Sequence, residues 1–137
     1  MRDSNRSVIF GKWIKRNFPK ANKIAEIASG GNPVEVESSK FTLPKHDVRM
    51  LHFKPGEYDL VIGMHPDGAT IEIIRLAEEA NADFAMVPCC IIPTQKGIDG
   101  FNGWIKHLKY LSSQRGFKVQ EYLLRMKGKN IVLVGRR

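Results

Sequence analysis

The chain has 137 residues, 42% of them hydrophobic and 26% charged, a composition that fits one globular domain and excludes collagen, coiled coil and disorder. Its longest apolar runs, Leu60 to Met64 and Phe84 to Pro93, fall well short of the roughly 20 residues that a membrane helix needs. The net charge of +8 is uneven, with +6 on residues 1–23, −6 on 24–105 and +8 on 106–137, so both ends are expected to feed a face that attracts polyanions.

Residues 4–18 are predicted to form a helix, capped by Ser4 or Ser7 and stopped by Pro19. Val8, Ile9, Trp13, Ile14 and Phe18 lie near helical spacing, with Lys12, Lys15 and Arg16 between them. Ile24 to Ala28 reads as a short strand. It ends in the turn formers Ser29, Gly30, Gly31, Asn32 and Pro33, and glycine lets a backbone approach a ligand closely. Val34 to Glu37 alternates as an exposed strand, Ser38 to Lys45 reads as a loop around Pro44, and Val48 to Phe53 reads as a further strand. Tyr58 to Met64 is a buried strand, followed by the turn His65 to Gly68 and a helix from Ala69 to Ala80. Asp67 or Thr70 caps that helix, and Glu78 and Glu79 are expected to face water. Asp83 to Ile92 is the next buried strand and carries Pro88, Cys89 and Cys90. Residues 101–114 form an amphipathic helix. Phe117 to Met126 and Ile131 to Arg136 then form an antiparallel hairpin.

This order predicts an α/β three-layer sandwich around a mostly parallel sheet, reduced in the 30–55 region and closed by the hairpin. The whole chain reads as one domain, with an N-terminal helix (1–20) and an α/β core (21–137). Ligands of such sheets bind outside the carboxyl ends of the strands, near the switch in strand order. Three segments fall at such ends: Ser29 to Asn32, His65 to Gly68, and Pro88 to Cys90.

His65 and Asp67 are candidate catalytic groups, an imidazole base and a nearby carboxylate; Asp67 reads equally as the helix cap. Glu26 either orients the glycine loop or a bound ammonium through a charge-assisted hydrogen bond, or is a buried carboxylate with a local partner. Cys89 and Cys90 either supply a nucleophile or line the pocket with Pro88 as inert small groups. Adjacent cysteines rarely bridge each other, so the pair is expected to be reduced, which with the lack of a secretory signal suggests a cytoplasmic protein. No metal site is expected. Trp13, Phe101 and Trp104 read as core or as stacking platforms for bases. Lys12, Lys15, Arg16, Lys127, Lys129 and Arg136 are the candidate phosphate contacts.

Glu26 to Gly31 resembles the first motif of the class I S-adenosylmethionine-dependent methyltransferases, an acid followed by Gly-x-Gly. Gly30 and Gly31 match; Ala28 replaces the first glycine. His65 to Thr70 and Pro88 to Cys90 are similar to the ends of the fourth and fifth strands in some RNA- and protein-modifying members. Asp67 stands where those have cysteine, and the stretch is one residue shorter. The resemblance implies a Rossmann-like methyltransferase topology with S-adenosylmethionine as cofactor. The loop at Ser29, Gly30 and Gly31 would cradle the cofactor's methionine part, and Glu37 or Glu35 would hold its ribose. The implied activity is direct methyl transfer to nitrogen or oxygen, with RNA as substrate. A departure concerns the helix that the family places after its first strand, since only Ser29 to Pro33 separates that strand from Val34. It supports the alternative of a non-catalytic module of the same fold that binds nucleic acid or a protein partner. A third reading is a small-molecule methyltransferase whose basic surface is incidental. The truncated sheet edge near residues 34–53 also offers itself to a second copy as a homodimer.

Overall fold

Helix α1 covers Arg2–Asn17. Phe10, Trp13 and Ile14 turn inward and Lys12, Lys15 and Arg16 outward, the division that a 3.6-residue period imposes. Lys15 and Arg16 also fall in its last turn, where cations complement the helix dipole. Pro19 follows at once. The computed structural model describes residues 2–27, 39–43, 50–64, 70–88, 100–126 and 130–137.

Four parallel strands come next: β1 (Lys23–Ile27), β2 (Ser39–Leu43), β3 (Leu60–Met64) and β4 (Asp83–Val87). Helix α2 (Thr70–Ala80) joins β3 to β4, and α3 (Gly100–Gln114) leads to the hairpin β5 (Lys118–Leu123) and β6 (Ile131–Arg136). The six strands form one sheet in the order β2-β1-β3-β4-β6-β5, with β6 antiparallel to both neighbours. Both α2 and α3 end in the same way. Asn81 (φ 57°) and Gly116 (φ 90°) take the left-handed conformation. Behind them, Ala82 N–H donates to Ala77 O at 2.9 Å and Phe117 N–H to Ser112 O at 3.1 Å. These paired caps satisfy the last carbonyls and turn the chain straight into β4 and β5.

The sheet separates two cores. Ala25, Ile27, Val61, Phe84, Met86 and Leu133 pack under α2 and α3, with Trp104 and Leu108. Ile24, Leu60, Ile62, Met64, Val87 and Val134 pack under α1. The alternation along β3, with Leu60, Ile62 and Met64 on one side and Val61 on the other, is the period-two signature of a strand buried on both faces. The three-layer sandwich read from the sequence is therefore the observed architecture.

The reduced region differs from its sequence reading. Strand β2 occupies Ser39–Leu43, where a loop was expected; Pro44 follows the strand instead of interrupting it. Eleven residues, 28–38, separate β1 from β2, which runs parallel to it; a connection between parallel strands takes at least about 10–12. The expected strand at 34–37 lies outside the described residues. Residues 51–53, at the end of the other expected strand, pair with no strand among the described residues. Instead they are tied to α2: Phe53 N–H donates to Glu79 Oε1 at 3.0 Å, and Arg75 Nη1 donates to Leu51 O at 3.0 Å.

Candidate functional site at the carboxyl rim

Strands β1, β3 and β4 are adjacent and parallel, so their carboxyl ends, Ile27, Met64 and Val87, share one rim. The chain builds outward from β1 to β2 and then crosses back to place β3 on the other side of β1. That reversal makes a topological switch point between β1 and β3, the place where ligands of open α/β sheets bind. In chain order, the three segments singled out in the sequence follow β1, β3 and β4. Ser29, Gly30, Gly31, His65, Asp67, Cys89 and Cys90 lie outside the described residues, as do Glu37, Lys127 and Lys129. In chain order Glu37 precedes β2, whereas the end of β2 at the rim is Leu43.

Glu26 and Pro88 are described, and both are buried. Glu26 is the next-to-last residue of β1, paired with Thr42 on one side and Ile62 on the other. Its side chain is wholly enclosed, at 0% exposure. Its Oε1 takes no hydrogen bond from a described residue, and the side chain has its interaction elsewhere. Placing a carboxylate here is costly for a strand otherwise made of Ile24, Ala25 and Ile27, since buried charge needs partners. Thr70, the first residue of α2, is also buried at this end.

The opposite edge of the sheet holds an open groove of about 280 Å³, lined by Asn17, Phe18, Lys20, Asp59, Asp83 and Arg136 among others. Its charges bind the protein to itself. Asp59 Oδ2 accepts from the backbone N–H of Asn22 and Lys23 at 3.1 and 3.2 Å. Asp83 Oδ1 accepts from Arg137 N–H at 2.9 Å. The Arg136 guanidinium lies 4.4 Å from the Phe18 ring centre, donates to Asn17 O at 3.3 Å and stands 3.8 Å from Asp83. This groove is a structural seam that closes α1 onto the sheet, and it lies at the far edge from the rim.

Of the aromatic candidates, Trp104 is fully buried and Trp13 nearly so. Trp13 is enclosed by Phe10, Phe18 and Tyr122, with ring centres 5.4–6.3 Å apart. Both indoles are core, which removes them as stacking platforms. Lys12, Lys15 and Arg16 are exposed. Glu79, expected in water, is instead the hub of a cluster. It accepts from Phe53 N–H and Arg75 Nη1 (2.9 Å) and meets His52 Nδ1 at 3.1 Å. Burial pushes its carboxyl upward, but the Phe53 amide, His52 and Arg75 together hold it below the usual glutamate range. The spacing Glu72, Arg75, Glu79 was the available signal, since residues three and four apart meet on a helix.

No protein-family model and no curated protein sequence matches the chain. Solved structures do. The chain is similar over 100% of its length to the S-adenosylmethionine-bound amino pentose methyltransferase CalS10 from Micromonospora echinaspora. The TM-score is 0.58 and the identity 8%, covering 92% of that protein. It is similar over 94% of its length to the S-adenosylmethionine-dependent methyltransferase SibL, with a TM-score of 0.57 and 10% identity. It spans 54% of SibL. Identities this low speak for fold alone. The chain has a class I methyltransferase-like α/β fold.

Proposed function

We propose that the chain binds S-adenosylmethionine in the crevice above β1 and β3 and transfers its methyl group to a nitrogen or oxygen of RNA. The observation that carries the cofactor assignment is the enclosed carboxylate of Glu26, one residue below the rim at the topological switch point. The fold it shares with CalS10 over its whole length adds support. The cofactor carries cationic groups, and a buried carboxylate at the end of β1 is a suitable group to meet them, directly or through the loop that follows. Eleven residues separate β1 from β2, which leaves room for a crossover. The cofactor supplies an activated methyl on a sulfonium, and the protein's share is positioning and exclusion of water. His65, which follows β3 by one residue, is the base proposed to take the acceptor's proton, with Asp67 beside it in sequence. Pro88, Cys89 and Cys90 would line the acceptor's side of the crevice above β4.

Calorimetric titration with S-adenosylmethionine tests the reading. One-site heat in the wild type and an affinity at least tenfold weaker in Glu26→Gln are expected. No heat and no shift in melting temperature would overturn the cofactor assignment and leave a binding module of the same fold. If the cofactor binds, His65→Ala should abolish methyl transfer with binding near normal; full activity would remove His65 from the chemistry.

A further inference from the structure

We infer that the outward face of α1 is the docking surface for the phosphate backbone of single-stranded RNA, laid along the helix toward the rim. This deepens the methyltransferase reading, and its test is independent of cofactor binding.

The first observation is direction. The end of α1 is pinned at the amino edge of the sheet, where Phe18 and Asn17 meet Arg136. Trp13 packs on Tyr122, which lies four positions further along β5 than Lys118, the partner of Arg136. That is about 13 Å toward the carboxyl rim. The helix of 16 residues spans about 24 Å, more than the roughly 17 Å of a five-residue strand. Its first turns therefore stand over the rim. A chain lying along α1 runs from the amino edge to the crevice.

The second observation is charge. Lys12, Lys15 and Arg16 stand together on the outer face, all exposed. Lys118 joins them from the sheet, since it pairs with Arg136 and so shares the face on which Arg136 meets α1. Among the described residues, no ion pair involves Lys12, Arg16 or Lys118. The other layer is different. Its acids are matched there, Glu72 and Glu79 by Arg75, Glu78 by Arg115 and Glu121 by Lys109. Lys54 and Lys106 of that layer also form no ion pair among the described residues, but they stand on separate elements, whereas Lys12, Lys15 and Arg16 fall within five residues of one helix. Arg136, a candidate contact by sequence, is held within the seam by Phe18 and Asn17.

The third observation selects the partner class. The apolar side of α1, Phe10, Trp13 and Ile14, is committed to the core. Among its described side chains, the helix has no hydrophobic face left to insert into a lipid surface. What remains is a group of exposed cations on one helix, which suits an extended polyphosphate.

The test measures the affinity of a short oligouridylate by fluorescence anisotropy, at salt from about 50 to about 200 mM, without cofactor. On a single strand, each phosphate that is no longer neutralised reduces the salt slope by about 0.7. The double variant Lys12→Gln/Arg16→Gln should therefore lower the slope by about 1 to 1.5 and weaken binding at low salt several-fold. A control of equal charge on the other layer, Lys54→Gln/Lys106→Gln, should leave the slope in place. An unchanged slope in the α1 variant, equal losses in both variants, or poly-glutamate binding as tightly as the RNA would each overturn the proposal. Because no cofactor is present, a failed cofactor titration leaves this result standing, and the reverse.

Discussion

Gly135 is the position where the sheet has least room. It sits in β6 opposite Phe84 of β4. A methyl group added there would overlap Cε2 of the Phe84 ring and meet its Cδ2 and Cζ at 2.7 Å each, the latter two already about 1 Å inside ordinary carbon contact. The ring has nowhere to retreat. Phe84 is fully buried and held edge-on by Phe117, with ring centres 5.0 Å apart. Gly135→Ala gains about 0.4–1 kcal/mol by restricting the unfolded chain. It loses about 1–3 kcal/mol by overpacking, so overpacking wins and the net loss is about 1–2 kcal/mol. For a chain of this size the melting temperature should fall by about 3–8 °C. Urea denaturation of Gly135→Ala, Phe84→Leu and the double variant checks the cause. If the ring is the obstacle, the glycine substitution costs under about 0.5 kcal/mol once Phe84 is leucine. An unchanged or raised stability in the single Gly135→Ala variant would rule out overpacking as the dominant effect.

Glu79, held below its ordinary range by Phe53, His52 and Arg75, stabilises the fold above the unfolded glutamate value of about 4.3. That stability is lost as pH falls through the lower native value. Glu79→Gln should therefore melt below the wild type at pH 7, and the gap should close in acid; a gap independent of pH would show that the carboxylate's charge is idle. Trp104 is fully buried, and its Nε1 has no hydrogen-bond partner among the described residues. Trp104→Phe removes a donor whose burial costs about 1–3 kcal/mol and leaves a cavity of similar cost. Urea denaturation should give a change within about 1 kcal/mol, and a loss above about 3 kcal/mol would show that the indole N–H is bonded.

Much of the architecture is legible in local patterns. The spacing of Ile73, Leu76, Ala77 and Ala80 announces α2, and all four are buried. The unbroken apolar run Leu60 to Met64 reads as a strand covered on both faces, as it is. Strand β2 escapes because it lies at the sheet's edge and mixes Ser39, Lys40 and Thr42 with Phe41 and Leu43. Its pairing comes from β1, a contact that no local signal carries. That β1, β3 and β4 end at one rim follows from strand order, and the alternation of elements is enough to foresee it. The role of Glu79 is not foreseeable that way: its partners Phe53 and His52 come from a segment 26 and 27 residues away. Likewise Lys12 and Arg16 read as phosphate contacts from charge alone, but only the packing of α1 shows on which face of the sheet they stand.

Backbone amide shifts followed by NMR during titration with S-adenosylhomocysteine locate the ligand without reference to activity. Binding in the crevice above β1 and β3 should move the amides of Glu26, Ile27, Met64 and Val87 together, while those of Lys20, Asp59 and Asp83 at the opposite edge stay in place. Shifts confined to that opposite edge, or none anywhere at saturating ligand, would be incompatible with a cofactor site at the rim.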